Sequence, residues 1–169
     1  MLESYIHDMK IVQEFARINR QAIADEIIKG MKFSVEDSFS TIHNYIDVEN
    51  KIIRKGAISA SQGERVIIPL NMRDGCLICV GKGNAEWNGS APHGAGRIMS
   101  RADVMSSFTL SQYKKEMKNV FTTSVSRETL DECPMAYKNP EVITAAIEPT
   151  VDIMERITPV YNFKAPKEV

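Results

Sequence analysis

Apolar residues recur at three-and-four spacing at the start of the chain. Tyr5, Met9, Val12, Ala16, Ile23 and Ile27 predict a helix over residues 2–29, with Gly30 as its C-terminal stop. The pattern then shortens. Runs rich in Ile and Val, separated by polar or Gly-containing turns, predict strands over 41–48, 51–59, 65–69 and 76–80. Gly81-Lys82-Gly83-Asn84 reads as a loop, and residues 84–97 as irregular backbone around Trp87, Pro92 and His93. Helical spacing returns over 110–119. Asn139-Pro140 opens another helix, with Pro at the first helical position, that runs to Ile147. Pro149 breaks it; residues 150–157 are predicted as a last helical stretch and 158–164 as a terminal strand. There is no internal repeat and no low-complexity segment. The elements mix without βαβ alternation, so the fold class is α+β.

Composition changes this picture little. The 169 residues suffice for one domain with its own core. The formal net charge is −1, so any nucleic-acid contact has to come from a local basic patch. Three cysteines (Cys76, Cys79, Cys133) make no disulfide framework and fit a reducing compartment. No run is apolar for long enough to span a membrane, and the N-terminus lacks the pattern of a signal peptide. The expected localisation is cytoplasmic. The chain opens directly into a helical pattern, as a piece of a larger protein would.

The densest run of unusual residues is Ser90-Ala91-Pro92-His93-Gly94-Ala95-Gly96-Arg97. Small residues after a single His let backbone and ligand approach the imidazole closely. Successive N–H groups in such a loop can cradle a phosphate, an Arg four residues on can add a bidentate contact, and an imidazole is a competent nucleophile toward phosphorus. On pattern alone, a Gly-rich turn with a surface His serves as well. His43, in an apolar strand-like run, is either a metal ligand or a satisfied half-buried residue. His7 lies on the first helix without an obvious partner. Cys76 and Cys79 have CxxC spacing but sit in a strand-like run, so they read as packing residues, and the three His and three Cys form no standard closed metal site. Arg54, Lys55, Arg97 and Arg101 are the basic residues near these motifs. Lys114, Lys115 and Lys118 form a second cluster, which reads as a solvated helix face.

Several segments together resemble the RtcB family, the GTP-dependent RNA-splicing ligases. They are His43-Asn44, Arg54-Lys55-Gly56-Ala57, the stretch from Ile68-Pro69 to Gly75, and above all His93-Gly94-Ala95-Gly96-Arg97 followed by Ser100-Arg101. Ala136-Tyr137-Lys138 and Lys164 also fit, so the resemblance spans nearly the whole chain. It implies an RNA ligase that joins 3′-phosphate or 2′,3′-cyclic phosphate ends to 5′-hydroxyl ends in RNA repair or tRNA splicing. His93 would attack the α-phosphorus of GTP to form a covalent His–GMP, and GMP would pass to the RNA 3′-phosphate. The implied cofactors are GTP and Mn²⁺, with two ions per active site; the implied partner is RNA. His43 matches a metal-ligating His, and Asn44 beside it a guanylate contact. Pro69, Leu70, Asn71 and Met72 match a guanylate-binding loop, with Cys76 where that pocket usually has Ser. His93, Gly94, Ala95 and Gly96 match the nucleophile and its backbone cradle, Tyr137 an aromatic at the guanine pocket, and Lys164 a base contact. Arg54, Lys55, Arg97 and Arg101 are candidate RNA contacts.

The sequence departs from the family pattern in three places. The pocket loop, commonly Pro-Gly-Ser-Met-Gly-Thr, here reads Pro69-Leu70-Asn71-Met72-Arg73-Asp74, and the segment between His43 and Arg54 is short. This suggests a divergent paralogue group, for which RNA repair fits better than routine tRNA splicing. The family's other metal ligands (an Asp, a Cys and two more His) precede a helix like residues 2–29. The expectation is therefore that residues 1–169 form the C-terminal portion of a single RtcB-like catalytic domain. By itself such a portion would bind Mn²⁺ poorly, be inactive, and expose surface that favours self-association. The alternative is a non-catalytic nucleotide- or RNA-binding module that has lost the metal centre.

Overall fold

A computed structural model describes residues 1–164. The fold is mixed α+β. Its elements, in chain order, are helix α1 (Leu2–Met31), strands β1 (Asn44–Asp47), β2 (Ile52–Lys55), β3 (Ala57–Ser59), β4 (Arg65–Asn71), β5 (Gly75–Gly81) and β6 (Ser90–Pro92), helices α2 (Arg101–Ser107) and α3 (Leu110–Glu116), strand β7 (Phe121–Thr122), helix α4 (Pro140–Ile147), and strands β8 (Val151–Ile157) and β9 (Tyr161–Asn162). Short 3₁₀ turns cover Ala85–Trp87, Leu130–Glu132 and Pro134–Ala136. No helix among the described residues is long and apolar enough to cross a membrane.

Four small sheets result. β1 pairs with β2 and β3 with β6, both antiparallel; β4, β5 and β8 form a three-stranded antiparallel sheet with β5 in the middle; β7 and β9 pair in parallel. Residues 51–59 are two strands rather than one, because Gly56 takes a φ of +67° and turns the chain between them. The predicted helical stretch over 150–157 is instead strand β8, Val151–Ile157. Pro149 follows the end of α4, and β-branched Val151, Ile153 and Ile157 are placed along the edge of β5, which would otherwise be unpaired. Gly30 lies inside α1, whose stop is Lys32 in left-handed conformation. Helix α2 carries one buried residue, Val104, too few to write a period into the sequence; its signal is the Ser100 side chain accepting from the Asp103 N–H.

Two apolar cores meet near the middle of the chain. The first joins Ile68, Leu70, Leu77 and Cys79 of the sheet to Ile143 and Ile147 of α4. The second joins Val104, Tyr113 and Met117 to Leu130, Cys133 and Ala136. Strand β4 delivers Leu70 to the first core, and the turn after it delivers Met72 to the second, where its sulfur accepts from the Tyr113 hydroxyl at 2.9 Å. Cys79 is a core residue, and burial pushes its thiol up to about 11; Cys76 is half-buried. Helix α1 has no buried residue; Gln13 ties it to β1 by two hydrogen bonds with the Ile46 backbone, at 2.6 and 3.2 Å.

Candidate active site

His93 is the first residue after β6, where the chain leaves the paired strands and enters the Gly-rich loop. The loop is stitched to both cores. Ala95 donates its N–H to the Pro69 carbonyl at 3.0 Å, on the side of the first core. Ile98 donates to the Ala136 carbonyl at 2.9 Å and Lys138 to that of Gly96 at 3.1 Å, on the side of the second. Gly94 lies so close to β4 that a Cβ there would stand 3.0 Å from the Pro69 oxygen, and Gly96 has a φ of +71°. The small residues are thus required by close approach and by backbone conformation.

The imidazole is oriented by the peptide of Gly56. Nδ1 of His93 hydrogen-bonds to the Gly56 carbonyl, so Nδ1 carries the proton and Nε2 is the ring nitrogen left for chemistry. The Gly56 N–H is shared, at 3.0 Å each, between the His43 carbonyl and the Asn44 side-chain oxygen. One residue therefore ties the His93 loop, through its carbonyl, to the His43–Asn44 segment, through its N–H. The His43 and His93 rings stack with centroids 5.1 Å apart and planes 15° from parallel.

A cavity of about 570 Å³ opens beside His93, within the range of small-molecule sites. Pro69, Leu70, Asn71, Met72 and Cys76 line one side; His93, Gly94, Ala95 and Gly96 line the next. Tyr137, Lys164, Arg97 and Arg101 also line it. Residues from four separate stretches of sequence thus converge on one space. His43 and Asn44 do not line the cavity but adjoin it through the His93 ring and Gly56. Asn71 contributes less than its chemistry promises. Its amide donates to Asp74 at 2.7 Å, and its oxygen accepts from the N–H groups of Arg73 and Asp74, so the side chain is spent on the turn. The two charges in that turn are paired: Arg73 with Asp74 and Glu116, Asp74 also with Arg156.

The basic residues divide. Arg54 is 4% exposed, and its guanidinium reaches Tyr45, Ser90, Asp47 and the Asn88 carbonyl, bracing β2 against the β6 turn. Lys55 is exposed. Arg97 donates to the Tyr137 hydroxyl at 3.2 Å and to the Asp131 carbonyl, with its guanidinium 5.1 Å from the Tyr137 ring centre. Arg101 is 60% exposed yet pairs with Asp131 and Glu132.

Two site residues were not among those expected. Gly56 belonged to a recognised motif, but its role as a joint becomes visible only once β3 pairs with β6. Glu132 lines the cavity and binds the Tyr137 hydroxyl at 2.7 Å and the Lys164 ammonium at 3.4 Å. Burial raises its carboxyl, but the Tyr137 hydroxyl, Lys164 and Arg101 outweigh burial and hold it below the ordinary carboxylate range. Burial and this carboxylate push the Tyr137 hydroxyl up to about 12, so it remains a donor at neutral pH. Among the described residues no three of His, Cys, Asp or Glu cluster to hold a metal ion. His43 alone does not make the paired metal centre the resemblance implies.

The chain is similar to "RNA-splicing ligase RtcB" of Escherichia coli (strain K12), 29% identical over 169 residues that cover 90% of this chain and 41% of that protein. It is similar to "tRNA-splicing ligase RtcB" of Aeropyrum pernix, 30% identical over 81% of this chain and 36% of that one. A third relative, "tRNA-splicing ligase RtcB" of Nanoarchaeum equitans, is 27% identical over 96% and 42%. The chain thus spans about two fifths of the length of these three relatives. The family model described as tRNA-splicing ligase RtcB matches residues 1–165, nearly the whole chain, and the chain belongs to the RtcB family.

Proposed function

We propose that this chain is the C-terminal portion of an RtcB-like catalytic domain and carries the guanylate-accepting histidine of an RNA ligase. The observation that carries the reading is the fixed His93 ring, its Nδ1–H held on Gly56 and its Nε2 left to react beside a cavity large enough for a nucleotide. In the proposed reaction Nε2 attacks the α-phosphorus of GTP. An N–P bond forms, the bond to the β-phosphate oxygen breaks, and pyrophosphate leaves. An oxygen of the RNA 3′-phosphate then takes the guanylyl group from His93. Finally the 5′-hydroxyl of the second end attacks the activated 3′-phosphorus and GMP leaves, with the hydroxyl proton passing to solvent. Phosphoryl chemistry of this kind rests on positioning and charge neutralisation, which the anchored loop serves. Tyr137 and Lys164 stand at the base end of the cavity and His93 at the phosphate end. Arg54 braces the fold, and Lys55, which is exposed, remains the candidate contact for an RNA backbone.

A non-catalytic nucleotide-binding module is the second reading, favoured by the lack of a metal-ligand cluster among the described residues. Labelling with α-³²P GTP and Mn²⁺ separates the two, on this chain and on the longest open reading frame that contains it. Covalent label that His93→Ala abolishes supports the ligase. A folded long form that binds GTP but takes no label overturns it in favour of the module.

A further inference from the structure

Of the charged groups that line the cavity, Glu132 is the one to which the others are tied. Its side chain is 16% exposed. One oxygen accepts from the Tyr137 hydroxyl at 2.7 Å and meets the Lys164 ammonium at 3.4 Å; the other meets Arg101, with Arg97 at 3.8 Å. Lys164 is itself held at a second point, its backbone N–H donating to the Ser124 hydroxyl at 2.7 Å. A lysine side chain is four carbons long and rotationally free, and an unfixed ammonium selects for charge, not for one face of a base. Fixed at both ends, Lys164 becomes a donor at a defined place in the cavity wall.

We infer that Glu132, itself held by the Tyr137 hydroxyl, is the positioning residue that sets purine selectivity by holding the Lys164 ammonium against the edge of the base. The inference rests on the proposed nucleotide site. Guanine presents an acceptor, O6, where adenine presents an amino donor. A fixed ammonium, which can only donate, satisfies the first and leaves the second facing a like donor. Discrimination of this kind follows because the wrong base sets its amino group against the ammonium, and both donors, covered by the contact, lose the acceptors that water supplied. Glu132 need not touch the base to have this effect. Without its charge the Lys164 side chain turns to solvent, and the donor is lost while the phosphate end of the cavity is unchanged.

The test is equilibrium binding of fluorescent GTP and ATP analogues to the wild type, Glu132→Gln and Lys164→Met, in the longest open reading frame that contains this chain. The expected result is a GTP preference in the wild type that falls about tenfold or more in both variants. ATP affinity should move less than about threefold, and the double variant should be no worse than either single one. Lys164 is 41% exposed, so its variant tests the inference even where Glu132→Gln lowers the melting temperature. A parallel loss of GTP and ATP affinity, or an unchanged preference, overturns the inference and leaves the site reading standing. Absence of GTP binding in the folded wild type removes the site reading and this inference with it.

Discussion

At the residue scale, the reactive geometry depends on a position without a side chain. Gly56 combines a φ of +67° with a carbonyl that bonds His93 and an N–H that bonds the His43–Asn44 segment. A Cβ there would lie 3.4 Å from the His93 ring, ordinary contact, so substitution acts through backbone strain and not through a clash. A left-handed alanine costs about 1–2 kcal/mol. The expected outcome for Gly56→Ala is a loss of melting temperature matching about 1 kcal/mol and a much larger loss of guanylylation rate, because the peptide that orients Nε2 tilts. Rate and stability falling in proportion would instead make Gly56 a fold residue only. Arg54 teaches the complementary point. Its charge suggested RNA, yet its burial and its four kinds of partner place it inside the scaffold; no pattern in the sequence distinguishes a basic residue that faces in from one that faces out.

At the scale of elements, the sequence was legible wherever burial is one-sided and periodic. The strands at 65–69 and 76–80 and the helix from Pro140 to Ile147 fall within two residues of their observed bounds. Residues 150–157 were not legible as a strand. Val151-Asp152-Ile153-Met154-Glu155-Arg156-Ile157 supports either period, and what decides is the open edge of β5, a long-range fact. The candidate site shows the same division. The His93 loop announces itself through its glycines. Glu132 does not, because it acquires meaning only when Lys164 and Arg101 arrive from elsewhere. The pairing of β5 with β8 gives its own prediction. At Gly75, φ is +77° and a Cβ would fall 1.9 Å from the Ile157 carbonyl oxygen, which is backbone and cannot rotate away. Gly75→Ala should therefore push β8 off β5 beside the cavity, costing more than the about 1–2 kcal/mol of the φ change alone. Hydrogen exchange at Ile153–Ile157 would rise ahead of the rest of the sheet; uniform protection across the three strands would contradict it.

At the scale of the molecule, the cavity lies on the seam of two cores, so the same residues that join them also shape the site. That arrangement leaves α1 outside both. Ile11, Phe15 and Ile18 follow one another at helical spacing along one face and are each more than half exposed. Val12, Ile23 and Ile27 mark a second face, also exposed. The helix is tethered at Gln13 and half-buried at Ala16, Ala24 and Ile28, but its two apolar faces stand in water, and apolar surface of this extent drives association. In a chain that spans two fifths of its relatives' length, those faces are expected to be covered by further protein, and in isolation by other copies of the chain. The expected outcome at tens of micromolar is sedimentation well above 19.0 kDa, with binding of a hydrophobic dye. Phe15→Glu together with Ile23→Glu should shift the species toward the monomer and reduce the dye signal. Because neither residue touches the two cores, the variant should keep the wild-type melting transition of the sheet. A wild-type chain that sediments as a monomer and binds no dye would show that α1 folds back onto its own domain in solution.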